Sequence, residues 1–387
     1  MARPTITVGI DLGTAITRCV VFSWAPGASN PETLASVSVP SKGMRHGYIV
    51  NLSDAAGSIK RAVTQAEKEA NIQIKKAAFS LGGTSLSAES GVGSAIISKS
   101  DGEVTAFDTK TALTSAEESL DLKNRRIIHQ SPMMWKLDGK EMNNPPVGMH
   151  GVKLEVKVVF VTCLSQHLDD LLSAAGEAGM EVVDVIPSSV AASTIALSDR
   201  QRTVGVMLAN IGAETVSIAV FENGALIGMS VFPIGSTDIT NDIALGFRIS
   251  LEEAEGIKTG SVMTMAYPKR KVDDIIEARL SDIFELIDGY LKKIKRSGLL
   301  PAGVVITGGG SGHALVEGLA KDMLRLPSRV SSDDVLSQMK SPIRDSSWYV
   351  AFGLGFMAKE NEASGKSRGS SGGGSGLFKE FLRQFLP

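Results

Sequence analysis

Two stretches of this chain repeat one order of apolar and polar positions. In TVGIDLGTAITRCVVF, residues 7–22, an apolar run breaks at a glycine turn and resumes, and VMLANIGAETVSIAVF, residues 206–221, does the same. Asp11 falls on Asn210, Gly13 on Gly212 and Phe22 on Phe221, an offset of 199. Each stretch predicts a buried β-hairpin. A chain whose halves open on the same hairpin predicts two related domains facing one another.

Other segments obey the same logic. PAGVVITGGGSGHALVEGLAKDML (301–324) predicts a strand over Val304–Thr307, a turn of Gly308, Gly309, Gly310 and Gly312, and a helix with Leu315, Leu319 and Met323 on one face. Val152, Leu154, Val156 and Val158 alternate with Lys153, Glu155 and Lys157, a half-exposed strand. Residues 275–298 predict a helix, and the small-residue runs 184–197 and 346–358 predict helices that pack closely. In the final GLFKEFLRQFLP, Leu377, Phe378, Phe381, Leu382, Phe385 and Leu386 share one helical face, opposite Lys379, Glu380, Arg383 and Gln384. At about 11 residues such a helix is marginal in water and forms against a surface. The Gly/Ser-rich stretch 359–376 before it has no core residues and reads as a flexible linker.

Composition adds exclusions. With 387 residues, 43% hydrophobic and 21% charged, the chain can bury more than one core, and a net charge of −2 with scattered basic residues argues against nucleic acid as a partner. Cys19 and Cys163 each sit in an apolar run, where a buried free thiol is the ordinary reading and a reducing cytosol fits. The five histidines lie far apart, none at metal-ligand spacing. The start does not read as a signal peptide, and no window is long and apolar enough to span a bilayer.

The candidate chemistry lies at the glycines. A hairpin turn with glycine brings backbone close to a ligand, and its N–H groups suit phosphate. A strand, glycines and a helix N-terminus, as in 304–315, also favour an anion. That loop is not a phosphate loop of the Walker type, lacking GK[ST], nor a dinucleotide fingerprint.

Together the two hairpins and the GGGSG turn resemble the actin, sugar kinase and seventy-kilodalton chaperone superfamily, in which two phosphate hairpins and an adenosine loop close on a nucleotide. NNPPVGMHGVKLEVKVVFVTC (143–163) and SKGMRHGYIVNLSDAAGSIKRAVTQAE (41–67) are similar to segments of the FtsA family, the divisome actins of bacteria. The resemblance runs from about residue 5 to 358 and again in the final helix. It implies an α/β, actin-like two-lobed fold with an inserted FtsA-type 1C subdomain and a C-terminal amphipathic helix on a flexible linker. Lobe 1A would span 1–84, 163–199 and a crossing helix at 346–358. The insert would be 85–162, lobe 2A 200–245 and 300–345, subdomain 2B 246–299, the linker 359–376 and the membrane-targeting helix 377–387.

For function, the resemblance implies a nucleotide site and a set of partners. ATP with magnesium would sit against Asp11, Gly13, Thr14, Ala15 and Arg18 of the first hairpin, and Asn210, Gly212, Ala213, Glu214 and Thr215 of the second. Glu255 and Lys258, one turn apart in LEEAEGIKTG, would contact the nucleoside, although an ordinary solvated pair fits those two equally well. Gly308, Gly309 and Gly310 would complete the site; no residue is expected to ligate metal directly. The family often has Asp-Ile-Gly-Gly-Gly-Thr where this chain has Asn210-Ile211-Gly212-Ala213-Glu214-Thr215, which predicts at most a very weak ATPase. Partners implied are the C-terminal peptide of FtsZ, with Arg279 as first contact, further copies in a head-to-tail protofilament, later divisome proteins, and lipid through 377–387. The expected place is the cytoplasmic side of the inner membrane, peripherally, at the division septum. The alternative is a PilM-like pilus-assembly actin acting as a scaffold.

Overall fold

In the computed structural model, which describes residues 4–261, 267–331, 336, 341 and 343–363 with side chains to Lys359, both predicted hairpins are present. β1 (Thr5–Leu12) and β2 (Ile16–Trp24) pair antiparallel with Asp11 opposite Arg18, and β3 (Glu32–Pro40) extends the meander. A two-residue turn joins the short β4 (Met44–Arg45) to β5 (Tyr48–Ile49). Helix α1 (Leu52–Ala70) follows, its Asn51 cap accepting from the Asp54 N–H and its end marked by Asn71 in the left-handed region. β6 (Lys76–Leu81) returns parallel to β1.

The chain then leaves the first sheet to build the insert. β7 (Ser87–Ile96), helix α2 (Ala106–Glu118), β8 (Arg125–Leu137), β9 (Lys140–Met142) and β10 (Lys153–Leu164) form a four-stranded sheet in the order β7-β10-β8-β9. Trp135, Leu154, Val156, Val158 and Phe160 fill its own core with Ala112 and Leu113 of α2. The predicted alternation holds at Leu154, Val156 and Val158 but not at Val152. That residue is 68% exposed and precedes the strand, whose ladders with its neighbours begin only at Lys153 and Leu154.

α3 (Ser165–Glu177) leads back to β11 (Glu181–Pro187), which pairs parallel with β6 and completes the first sheet in the order β11-β6-β1-β2-β3. α4 (Ser188–Ala196) and α5 (Asp199–Val204) then cross to the second lobe. There β12 (Val206–Ile211), β13 (Val216–Glu222) and β14 (Ala225–Phe232) repeat the meander, followed by α6 (Ser236–Phe247), α7 (Leu251–Thr259) and α8 (Lys269–Lys293). β15 (Val304–Thr307), α9 (Leu315–Leu324) and β16 (Ser328–Val330) finish the sheet as β14-β13-β12-β15-β16, and α10 (Tyr349–Ala363) returns to the first lobe. The two sheets have the same connectivity: an antiparallel meander with two parallel strands beside its first member.

The layers result from what each strand buries. Val206 and Leu208 of β12 join the core shared with α4 and α10, while Met207 and Ala209 face α6, α8 and α9. Such strands are covered on both faces, hence their near-continuous apolar runs. α4 and α10 thus lie between the sheets. A Cβ on Gly353 of α10 would come within 1.9 Å of the Ala191 carbonyl of α4, so the predicted small residues are what allow this approach.

Two helices differ in detail from the sequence expectation. α8 begins at Lys269 rather than 275, since Val272 already belongs to its buried stripe with Ile276, Leu280, Ile283, Ile287 and Leu291. In α9 the fully buried positions are Val316, Ala320 and Leu324, with Leu315, Leu319 and Met323 half-covered beside them. Both cysteines are free and buried, and burial pushes the Cys19 thiol up to about 12. Among the described residues no helix is long and apolar enough to cross a membrane. Residues 359–363 of the expected linker continue α10, so the crossing helix runs past the expected 358, and the rest of the linker and the final helix, with Leu377, Phe378, Phe381, Leu382, Phe385 and Leu386, lie outside the described residues.

Candidate functional site

The turns of both hairpins and the glycine loop after β15 come together at the same end of the two sheets. In the first hairpin Asp11 is 8% exposed and accepts a hydrogen bond of 2.7 Å from the Ser80 hydroxyl on β6, which in turn accepts from the Leu12 N–H at 3.2 Å. Burial raises the Asp11 carboxyl above the usual range, while Arg18 and the Ser80 bond pull it down. Gly13 and Thr14 are half-buried and Ala15 is exposed at the tip.

In the second hairpin the Gly212 N–H closes the turn on the Thr215 carbonyl at 2.8 Å. The carbonyls of Gly212 and Ala213 accept from the N–H groups of Ser236 and Thr237 at 2.9 and 2.7 Å, so the first turn of α6 is fastened to this hairpin. Lys258 donates to the Ser236 carbonyl at 3.0 Å and the Thr240 hydroxyl at 2.8 Å, and pairs with Glu255 at 2.7 Å. Thr240 also donates to Glu255 at 2.5 Å. Burial works against the Glu255 charge, but the bonds from Lys258 and Thr240 outweigh it and hold the carboxyl below the usual range. Glu255 and Lys258 are therefore one network with the second hairpin.

The third element needs its glycine. Gly308 has φ of +93, and a Cβ there would lie 2.5 Å from Oδ1 of Asn210 and 2.4 Å from the Ile211 carbonyl. Asn210 pairs with Thr307 across β12 and β15, so the loop leaves its strand directly over the hairpin. Gly309 is exposed, and its nearest neighbour beyond the loop is Ser347 of the opposite lobe, 4.0 Å from the Cβ position.

Arg18 departs from the expected role. Its side chain donates to the Ser347 hydroxyl at 2.9 Å and lies over the Trp348 ring at 5.6 Å, tying β2 to the start of α10 beside Gly309. Arg279 lies on α8 and faces α6. It makes a two-pronged bond to Asp242 of α6, at 2.7 and 3.0 Å, and reaches Asp282 at 3.3 Å. Glu214 turns across the cleft, where its carboxylate accepts from the His46 N–H at 2.6 Å. Sequence reasoning missed Ser80, Thr240, Ser347 and His46; of these only the His46-Gly47 pair carries a local signal, that of a hairpin turn.

The bare glycine backbone and the Thr14 and Thr215 hydroxyls fit a phosphate chain, while the deep Asp11 carboxylate fits a cation carried with it and not the anion itself. Among the described residues no three His, Cys, Asp or Glu side chains converge as a metal site.

Two family models match the chain. "Cell division protein FtsA" matches residues 207–353, and "SHS2 domain inserted in FTSA" matches residues 83–162, the four-stranded insert. The cell division protein FtsA of Bacillus subtilis (strain 168) is 29% identical over 375 residues, covering 92% of this chain and 83% of that protein. The chain belongs to the FtsA family. Among solved structures, the PilM-PilN type IV pilus biogenesis complex is similar with a TM-score of 0.66 at 17% identity, covering 91% of this chain and 98% of that one. MreB 5 of Spiroplasma citri bound to AMPPNP is similar with a TM-score of 0.54 at 14% identity, covering 95% of this chain and all of that one. At such identities these two likenesses show the fold, which is actin-like, and nothing further. As a member of the FtsA family, the chain is an actin-like protein of cell division, and the family's insert is the four-stranded sheet built by β7 to β10.

Proposed function

We propose that this member of the FtsA family binds ATP with magnesium between its two hairpins, assembles head to tail, and tethers FtsZ to the cytoplasmic face of the membrane at the septum. The observation that carries the reading is the repeated pair of hairpins, set with the Gly308 loop around one cleft. Asp11 stands in the first hairpin where the second has Asn210. The fold shared with a nucleotide-bound MreB supports it as well. Thr14, Thr215 and the glycine backbone would hold the phosphates, and Glu255 and Lys258 the nucleoside. A magnesium ion, when bound, supplies charge to the phosphate oxygens. Of the two hairpin positions only Asp11 carries a carboxylate toward it, because Asn210 is a neutral acceptor. Activation of an attacking water is therefore weak, and hydrolysis is slow or absent.

Attachment starts from the end of α10, which is fastened to the first lobe: Lys359 donates to the Ala28 carbonyl at 2.9 Å and lies over the Trp24 ring. Past Ala363, where α10 stops, residues 364–376 lead to Leu377, Phe378, Phe381, Leu382, Phe385 and Leu386. Six such side chains partly buried in lipid would contribute about 5–10 kcal/mol before ordering costs. One helix then binds weakly, and a protofilament binds by avidity.

Calorimetric titration with ATP and magnesium, phosphate release, and sedimentation with liposomes test the proposal together. ATP binding with phosphate release far below that of competent actin-like ATPases is expected, and liposome binding that vanishes without residues 377–387. Fast release abolished by Asp11→Ala would sink the adaptor reading, and lipid binding that survives the truncation would sink the tether.

A further inference from the structure

The turn between β4 and β5 lies against the tips of both hairpins. Its two central residues, His46 and Gly47, have φ of +48 and +79, the left-handed geometry of a two-residue hairpin loop. Their consecutive N–H groups are divided between the lobes. His46 donates to the Glu214 carboxylate at 2.6 Å, and Gly47 donates to the Thr14 hydroxyl at 3.2 Å. The His46 imidazole Nδ1 lies 3.2 Å from the Glu214 carbonyl oxygen and 3.8 Å from its carboxylate.

The turn is also held from behind. A Cβ on Gly47 would come within 2.4 Å of the Gly83 nitrogen, so the turn is backed by the Gly82-Gly83 backbone. The Gly47 carbonyl lies 3.1 Å from Nε2 of His167, whose Nδ1 is 2.6 Å from the Ser85 hydroxyl. Ser85 stands just before β7, where the chain enters the insert. One run of contacts thus leads from the second hairpin through the turn to the root of the inserted subdomain.

From this geometry we infer that Glu214 is a specificity-determining residue of the cleft: an internal anion, seated on the His46 N–H, that a terminal phosphate must displace. The inference rests on the reading that the cleft takes a nucleotide. A carboxylate and a phosphate competing for one backbone donor also repel each other, and the penalty falls on the longer phosphate chain. A nucleoside diphosphate is therefore favoured relative to the triphosphate. When the triphosphate does bind, it releases the β4–β5 turn from the second lobe, which loosens the Gly47–His167–Ser85 contacts as well.

The test uses the full chain and its Glu214→Gly and Glu214→Gln variants, titrated with ATP and with ADP in magnesium by calorimetry. The glutamine keeps the length and the acceptor and removes only the charge. The expected result is ATP affinity raised about tenfold in Glu214→Gly and at least about threefold in Glu214→Gln, with ADP affinity changed less than about threefold. Amide exchange of residues 44–50 in nucleotide-free Glu214→Gly should be about tenfold faster than in the parent. Equal gains for both nucleotides, or none where the parent binds both, overturn the inference while leaving nucleotide binding intact. Failure of all three proteins to bind either nucleotide overturns the nucleotide reading and, with it, this inference.

Discussion

Asn210 and Gly308 fit together with no room for a side chain: a Cβ on Gly308 would lie 2.5 Å from the Asn210 Oδ1 atom, and the backbone there is left-handed at φ +93. Gly308→Ala therefore meets both strain and collision. The expected cost is about 1–3 kcal/mol, read as a lower melting temperature. Displacement of Asn210 should also weaken ATP binding in calorimetry. A variant that melts and binds like the parent would show that the loop moves freely over the hairpin.

Asp11 is expected to trade stability for binding. Burial raises its carboxyl above its usual value of 3.8, so the folded chain holds the proton more tightly than the unfolded one. The stability this group contributes is then fully present below the unfolded value and lost as the pH rises through the folded one. At neutral pH the ionised form opposes folding. Asp11→Asn keeps an acceptor for Ser80 and removes the charge, so its melting temperature at pH 7.5 should rise while its affinity for ATP with magnesium falls about tenfold or more. A lower melting temperature would mean that attraction to Arg18 outweighs burial.

Much of this architecture is legible in the chain because it rests on local pattern. The hairpins at Gly13 and Gly212, the strand Val304–Thr307 and the close packing of α4 on α10 all follow from apolar runs, glycines and small residues. Contacts across the fold are another matter. Nothing near Glu214 in sequence marks His46, 168 positions away, as its partner. Arg18 could be placed opposite Asp11 by hairpin register, yet its bond to Ser347 depends on where α10 returns. Periodicity alone misplaces Val152, since the pattern runs one residue beyond the ladder that would bury it. Asp242, the acceptor for Arg279, lies on another helix, out of reach of any local rule.

The insert should make the protein sensitive to mild acid. His129 of β8 is held at about 4 by burial, below its usual 6.5. It is neutral in the folded chain, and the stability it contributes is complete above pH 6.5 and lost as the pH falls toward about 4. His167 and His313 are lowered by burial in the same direction. Stability at pH 5 is thus expected to be about 1–2 kcal/mol below that at pH 7.5 on account of His129. His129→Gln should reduce the difference in melting temperature between the two pH values. An unchanged difference in that variant would assign the acid sensitivity to other groups.

Arg279 is committed within the molecule, and its proposed contact with FtsZ must be tested with that in mind. Its guanidinium holds Asp242 at 2.7 and 3.0 Å and Asp282 at 3.3 Å, with about a third of the side chain exposed. Arg279→Glu removes a cation from the surface and also sets three carboxylates together, so weaker FtsZ peptide binding by that variant alone would not separate the two effects. The exchanged pair, Arg279→Glu with Asp242→Arg, restores an ion pair on the same two helices. For a partly exposed pair this should recover most of roughly 1 kcal/mol of lost stability. If Arg279 contacts the peptide, the exchanged protein melts like the parent yet binds the acidic FtsZ C-terminal peptide at least about fivefold more weakly by fluorescence anisotropy. Recovery of both stability and affinity would make the pair a brace between α6 and α8 and remove Arg279 from the peptide contact.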